Sequence, residues 1–174
     1  VAMNSFKIGD RIIYPNQGLA VIEDIHEERL YGESFQIYYI RILANKTLVL
    51  VPSCNTDEMG IRPPRAGNSV EGSFGFLRKG QVDVSTDGKG RYKEHVNLMR
   101  SGTILDMASV LKSLYFLSLT KPLSFREKKM LEKAKELLAA EISEVSDLPL
   151  SKIERRITET LAGCFKSIKA NVEL

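Results

Sequence analysis

The sequence predicts a two-domain α+β protein: a small antiparallel β-barrel over residues 1–64, then an all-α domain over residues 65–174. Three observations predict it. Apolar residues follow a period of two in the first third of the chain and a helical period afterwards. The two regimes are separated by Arg62-Pro63-Pro64-Arg65-Ala66-Gly67-Asn68-Ser69, where Pro-Pro blocks both helix and ladder and Gly-Asn-Ser favours a turn. Formal charge also divides there, −2 before residue 65 and +5 after it.

The strands come first. Arg11-Ile12-Ile13-Tyr14 is short and β-rich, and Pro15-Asn16-Gln17-Gly18 is a turn. Residues 19–25 (LAVIEDI) follow, then a break at Tyr31-Gly32-Glu33-Ser34. Residues 35–42 alternate as a half-buried strand does. Ala44-Asn45-Lys46 turns into Thr47-Leu48-Val49-Leu50-Val51, which Pro52 ends. Four short strands with tight turns describe a small barrel or a strongly curved sheet.

The helices follow. Thr103-x-x-Asp106, Ser124-x-x-Glu127 and Ser151-x-x-Glu154 are capping-box patterns, each a hydroxyl that accepts from orphan amides with an acid three residues on. Behind them run apolar faces: Ile104, Met107, Ala108, Leu111, Leu114 and Tyr115; Met130, Leu131, Ala134, Leu137, Leu138 and Ile142; Ile153, Ile157 and Leu161. Residues 70–79 and 91–100 predict two further helices.

Composition narrows the function. With 43% hydrophobic and 27% charged residues, the chain has enough apolar content to fold. It has no run of about 18 apolar residues and no secretory pattern at its start, so a cytoplasmic protein without membrane contact is expected. Cys54 and Cys164 are far apart, without CxxC companions, and read as reduced thiols. Asn45-Lys46-Thr47 reads as a chance glycosylation pattern. Neither P-loop, GxSxG, HExxH nor GxGxxG occurs. His26 and His95, the two histidines, lack partners at ligand spacing and read as partly exposed structural residues. No catalytic residue, metal or cofactor is expected.

Two basic clusters are the remaining signal. Asp87-Gly88-Lys89-Gly90-Arg91 joins glycines, which admit close backbone approach, to cations at a helix start, as phosphate recognition needs. Its bland reading is a flexible linker. Arg126, Lys128 and Lys129 occupy the first turn of the Ser124 helix, against the macrodipole, where a phosphate or Glu127 and Glu132 would compensate.

The residues then resemble a family. Phe6-Lys7-x-Gly9-Asp10-x-x-x-Tyr14-Pro15-x-x-Gly18 looks like the opening of the CarD/CdnL family of bacterial transcription regulators. The likeness continues at Val51-Pro52, Gly60-Ile61-Arg62, Arg91-Tyr92-Lys93 and Ser101-Gly102. It is densest in Leu123-Ser124-x-x-Glu127-Lys128-x-Met130-Leu131-x-x-Ala134-x-x-Leu137-Leu138-x-x-Glu141. The resemblance implies a Tudor/SH3-like N-terminal domain that binds the RNA polymerase β subunit by strand addition. It implies a helical domain that meets promoter DNA at the upstream edge of the bubble and stabilises the open complex at primary-sigma promoters.

On that basis the polymerase-binding residues are Glu28, Arg29, Thr47, Leu48, Val49, Leu50 and Val51. The DNA-binding residues are Gly88, Lys89, Arg91, Tyr92, Lys93, Arg126, Lys128 and Lys129. A monomer is expected, since the edge strand is reserved for the polymerase, and Val49 is the test position for its outward amides. Two departures stand out. Family members often carry a wedging Trp near the position of Gly88, whereas this chain has no Trp. Glu28 and Leu50 stand where some members place Arg. The rival readings are a polymerase-docking adaptor without productive DNA contact, and an enzyme with no recognisable catalytic constellation.

Overall fold

The computed structural model describes residues 5–65, 68–79, 82 and 87–166. The chain forms two compact units that meet between Pro64 and Arg65.

In the first unit, β1 (Arg11–Tyr14), β2 (Gly18–Leu30), β3 (Glu33–Ile42) and β4 (Leu48–Pro52) form an antiparallel meander in chain order. Tyr31 and Gly32 both take positive φ, 52° and 85°, the handedness that lets a two-residue turn follow the twist of its strands. An irregularity between Ile22 and Asp24 bends β2 against β3. Alternation then buries Ile12, Ala20, Ile22, Tyr38, Ile40, Ile42 and Val51, with Phe6 and Ile61 closing the cluster from the flanks. The Phe6 amide donates to the Tyr38 hydroxyl at 3.3 Å.

The expected barrel is an open sheet. Strands β1, with four residues, and β4, with five, end the sheet on its two sides and do not pair with each other. The far side of β1 takes a single bridge, Ile13 with Arg62. Strand β2 also runs five residues further than the sequence indicated. Its acidic end pairs across the hairpin, Glu28 with Phe35 and Arg29 with Ser34, so charges that read as a loop lie on a solvated ribbon.

The second unit contains α1 (Asn68–Arg78), α2 (Gly88–Ser101), α3 (Ile104–Thr120), α4 (Phe125–Ser146) and α5 (Leu150–Cys164). Helix α3 is buried on most of its circumference and packs against α1, α2 and α4. Thr103 and Ser124 cap α3 and α4 as their patterns indicate. Ser151 does not cap α5. Pro149 precedes the helix and its carbonyl accepts from Lys152 and Ile153, which puts Ser151 inside the first turn. Among the described residues no helix is long and apolar enough to cross a membrane. Cys54 and Cys164 are free thiols.

Lys112 is buried in the middle of α3. Its ammonium donates to the Phe76 carbonyl at 2.9 Å and sits 4.7 Å from the Phe76 ring, satisfying an acceptor in the last turn of α1. Burial pushes its pKa below the usual lysine value. Lys112→Ala should therefore lower stability by about 2–4 kcal/mol, from the lost hydrogen bond and the cavity left behind. Exposed Lys152→Ala should stay within about 0.5 kcal/mol. Urea unfolding of the two variants checks the contrast.

Candidate functional site

The starts of α2 and α4 flank one cleft of about 530 Å³, lined by Gly88, Lys89, Arg91, Tyr92, Ser124, Arg126 and Glu127. The two basic clusters of the sequence thus come together. Each helix fills its own N-terminus. The Asp87 carboxylate accepts from the amides of Lys89 at 3.2 Å and Gly90 at 2.9 Å. A Cβ at position 90 would lie 2.7 Å from Asp87 Oδ2, so a larger residue there would push the capping carboxylate aside. On α4 the Glu127 amide donates to the Ser124 hydroxyl and the Ser124 amide to Glu127 Oε2, a complete capping box.

The remaining oxygen of Glu127, Oε1, accepts from the Arg91 guanidinium at 2.9 Å. Side-chain exposure is 4% for Arg91 and 11% for Glu127, so this is a buried ion pair joining the first turns of two helices. Burial pushes the Glu127 carboxyl up. The Ser124 amide, the Arg91 guanidinium and the Ser124 hydroxyl outweigh it and hold the pKa at about 2. One turn further along α2, His95 is buried rather than partly exposed and lies 3.2 Å from the Ser113 hydroxyl. Burial, with the Arg91 charge, pushes its pKa below 6.5 against the opposing pull of Glu94 and Glu127.

This geometry changes the reading of two expected features. Arg91 points inward onto Glu127, and a guanidinium so covered does not meet a phosphate at the surface. The glycine-rich turn does not offer bare amides either, because Asp87 already accepts from them. What faces solvent is a set of side-chain tips: Lys89, Lys93, Arg126, Lys128 and Lys129 are exposed, and Tyr92 is half-buried in the cleft wall. Gly88 is exposed, and a Cβ there would have room, its nearest neighbour being Arg91 at 3.7 Å.

Sequence reasoning passed over Phe125. It is 71% exposed at the first position of α4, and the Lys129 ammonium lies 4.9 Å from its ring centroid. The signal was available: Phe125 lies nine residues before Ala134, half a turn away from the buried face of α4. His26 pairs with exposed Asp24 at 2.9 Å. Among the described residues no group of three His, Cys, Asp or Glu side chains forms a metal site.

In the first unit, β4 ends the sheet, with a strand partner, β3, on one side only. The Ile42 amide donates to the Thr47 carbonyl at 2.8 Å, and this fixes the phase. Backbone groups of Thr47, Val49 and Val51 turn toward β3, and those of Leu48 and Leu50 toward the open edge. Val49 is therefore the wrong position for probing an outward amide. The Leu48 and Leu50 side chains are also exposed. Glu28 and Arg29 pair with Phe35 and Ser34, beyond Ile37, the last partner of β4, so they lie on the hairpin overhang and not along the edge.

Comparison with known proteins follows the same two units. Residues 6–64 match the CarD-like/TRCF RID domain and residues 73–158 the CarD C-terminal domain. The chain is 30% identical over 149 residues to the Bacillus subtilis (strain 168) protein named "Putative transcription factor YdeB", spanning 86% of this chain and 97% of the relative. The chain belongs to the CarD/CdnL family. It is a CarD-type transcription regulator, and its N-terminal sheet is the Tudor-like fold of the RID domain.

The buried pair and His95 give this CarD-family protein an acid profile in two steps. The folded pKa of His95 lies below 6.5, so below that pH the unfolded chain binds the proton first and stability falls. The folded pKa of Glu127 lies near 2 against 4.5, so its contribution is complete above 4.5 and is lost between 4.5 and about 2. His95→Asn should flatten the first step. Glu127→Ala should flatten the second and cost about 3 kcal/mol at neutral pH by removing the buried carboxylate that accepts from both Arg91 and the Ser124 amide. Urea midpoints measured across pH check both.

Proposed function

We propose that this regulator binds the RNA polymerase β subunit through the open edge of β4 and lays the exposed cations around the α2–α4 cleft against promoter DNA at the upstream edge of the bubble. The open complex at primary-sigma promoters is thereby stabilised, and the protein acts without catalysis. One observation supports this reading most: an unpaired strand edge in the unit matching the RID domain accompanies, in the unit matching the CarD C-terminal domain, five exposed cations near the starts of α2 and α4, two of which, Lys89 and Arg126, line the cleft.

Strand addition suits β4 because Leu48 and Leu50 carry amides and carbonyls with no ladder partner inside the sheet. On the DNA side, Lys and Arg tips act as point charges on phosphates. Binding is then sequence-tolerant and steeply salt-dependent. Gly88 cannot wedge a base step, and this favours the rival adaptor reading, in which the polymerase is bound and DNA is not.

Leu50→Pro removes an outward amide while leaving the β3–β4 ladder intact, so it should fold and lose β-subunit binding at least about tenfold, whereas Val49→Pro should disrupt the sheet edge itself. Circular dichroism with a polymerase pulldown separates these outcomes, and a folded Leu50→Pro protein that binds normally would rule out pairing at that residue.

Replacing Lys89, Lys93 and Lys128 with Gln should lower the salt slope of DNA binding by about 2–3 units, at about 0.9 per phosphate contact. It should also shorten open-complex lifetime and leave β-subunit binding and stability unchanged. If open-complex decay with the triple variant matches the parent, the adaptor reading stands.

A further inference from the structure

We propose that Phe125 is a stacking platform for an unpaired base, and that it gives the cationic surface a preference for melted over fully paired DNA. The inference rests on the DNA contact proposed above and adds to it the residue that tells the two DNA states apart.

Phenylalanine is a residue that folding ordinarily buries, yet this ring is 71% exposed. Its place in the helix does not call for it. The capping box is made by Ser124 and Glu127, and the buried face of α4 lies on the opposite side. Among the described residues no aromatic ring stacks on it. Its recorded ring partner is the Lys129 ammonium at 4.9 Å, which covers one face and leaves the other for a planar ligand.

The neighbours choose the ligand. Ser124 and Arg126, on either side of Phe125, line the cleft with Lys89 and Tyr92, and Lys128 and Lys129 follow on the helix. An apolar protein surface laid on this ring would strip water from those cations without pairing them. A nucleic-acid strand with an unpaired base brings phosphates to the cations and a π-face to the ring, the combination on which single-strand binding relies. Leu105 and Leu150 are also exposed at helix starts, but they are aliphatic and stand in no such frame. The ring is pre-organised as well, because the helix turn that carries it is tied through Glu127 to Arg91.

The test uses the full chain and two DNA probes, a duplex and the same duplex with a short mispaired bubble, at low salt. The sequence has no Trp, so Phe125→Trp places a single reporter at the site. The parent should bind the bubble about tenfold more tightly than the duplex, since stacking of one base is an effect of roughly this size. Phe125→Ala should equalise the two probes while keeping duplex affinity and salt slope. Emission of the Trp variant should be quenched by the bubble and not by the duplex. Equal parental affinity for both probes, or a bubble preference that survives in Phe125→Ala, overturns the inference and leaves the electrostatic contact standing. If the parent binds neither probe, the proposed DNA contact falls, and the inference with it.

Discussion

One buried ion pair organises the helical unit. Arg91 and Glu127 are 2.9 Å apart, and each belongs to the first turn of a different helix. Because Glu127 also closes the capping box of its own helix, the register of the cap, the start of α4 and the position of α2 are settled by one carboxylate. Such a pair is weak evidence for stability, since desolvation offsets much of the attraction, but it is demanding about geometry. Here geometry is what the surface needs. Lys89, Tyr92 and Arg126 line a common cleft, with Phe125 next to Arg126 in the chain, only if the two helix starts stay in place.

Much of this was legible in the sequence. Among the described residues, period-two and helical patterns indicated the four strands and the five α-helices, though not the last five residues of β2 or the short 3-10 turn at Ser53–Asn55, because hydrophobic periodicity reports which face is buried. Thr103 and Ser124 announced their helices, since a capping hydroxyl is a local device that needs no tertiary partner. Ser151 misled for the same local reason: the pattern was present, but Pro149 two residues earlier set the start. Of the two forms the strand pattern allowed, a small barrel or a curved sheet, the structure takes the open sheet, a choice that depends on pairing between distant strands and not on any local pattern.

The site was legible in part. The clusters at 87–91 and 126–129 were visible as charge, but charge does not say which cation points inward. Arg91 and Glu127 lie thirty-six residues apart, and no spacing rule connects them. Lys112 was invisible on the same ground. A lysine in an amphipathic pattern reads as solvated until a helix end arrives to meet it. Gly90 was read as permission for a ligand to approach, whereas its space is taken by the carboxylate of Asp87.

The turn between β3 and β4 has a consequence for how this family member can change. Lys46 takes a left-handed conformation, φ 62°. Its amide donates to the Ile42 carbonyl, and its own carbonyl accepts from the Arg41 guanidinium at 2.8 Å. This clamp sets which alternate residues of β4 face outward. Strand phase has only two states, so a one-residue insertion or deletion between Leu43 and Lys46 would exchange them. Val49 and Val51 would then present the outer amides, and the exposed leucines would be driven toward the core. Substitutions along the edge can accumulate gradually, whereas the length of this short turn is under an all-or-none constraint, so its residue count should vary less among relatives than its residue identities.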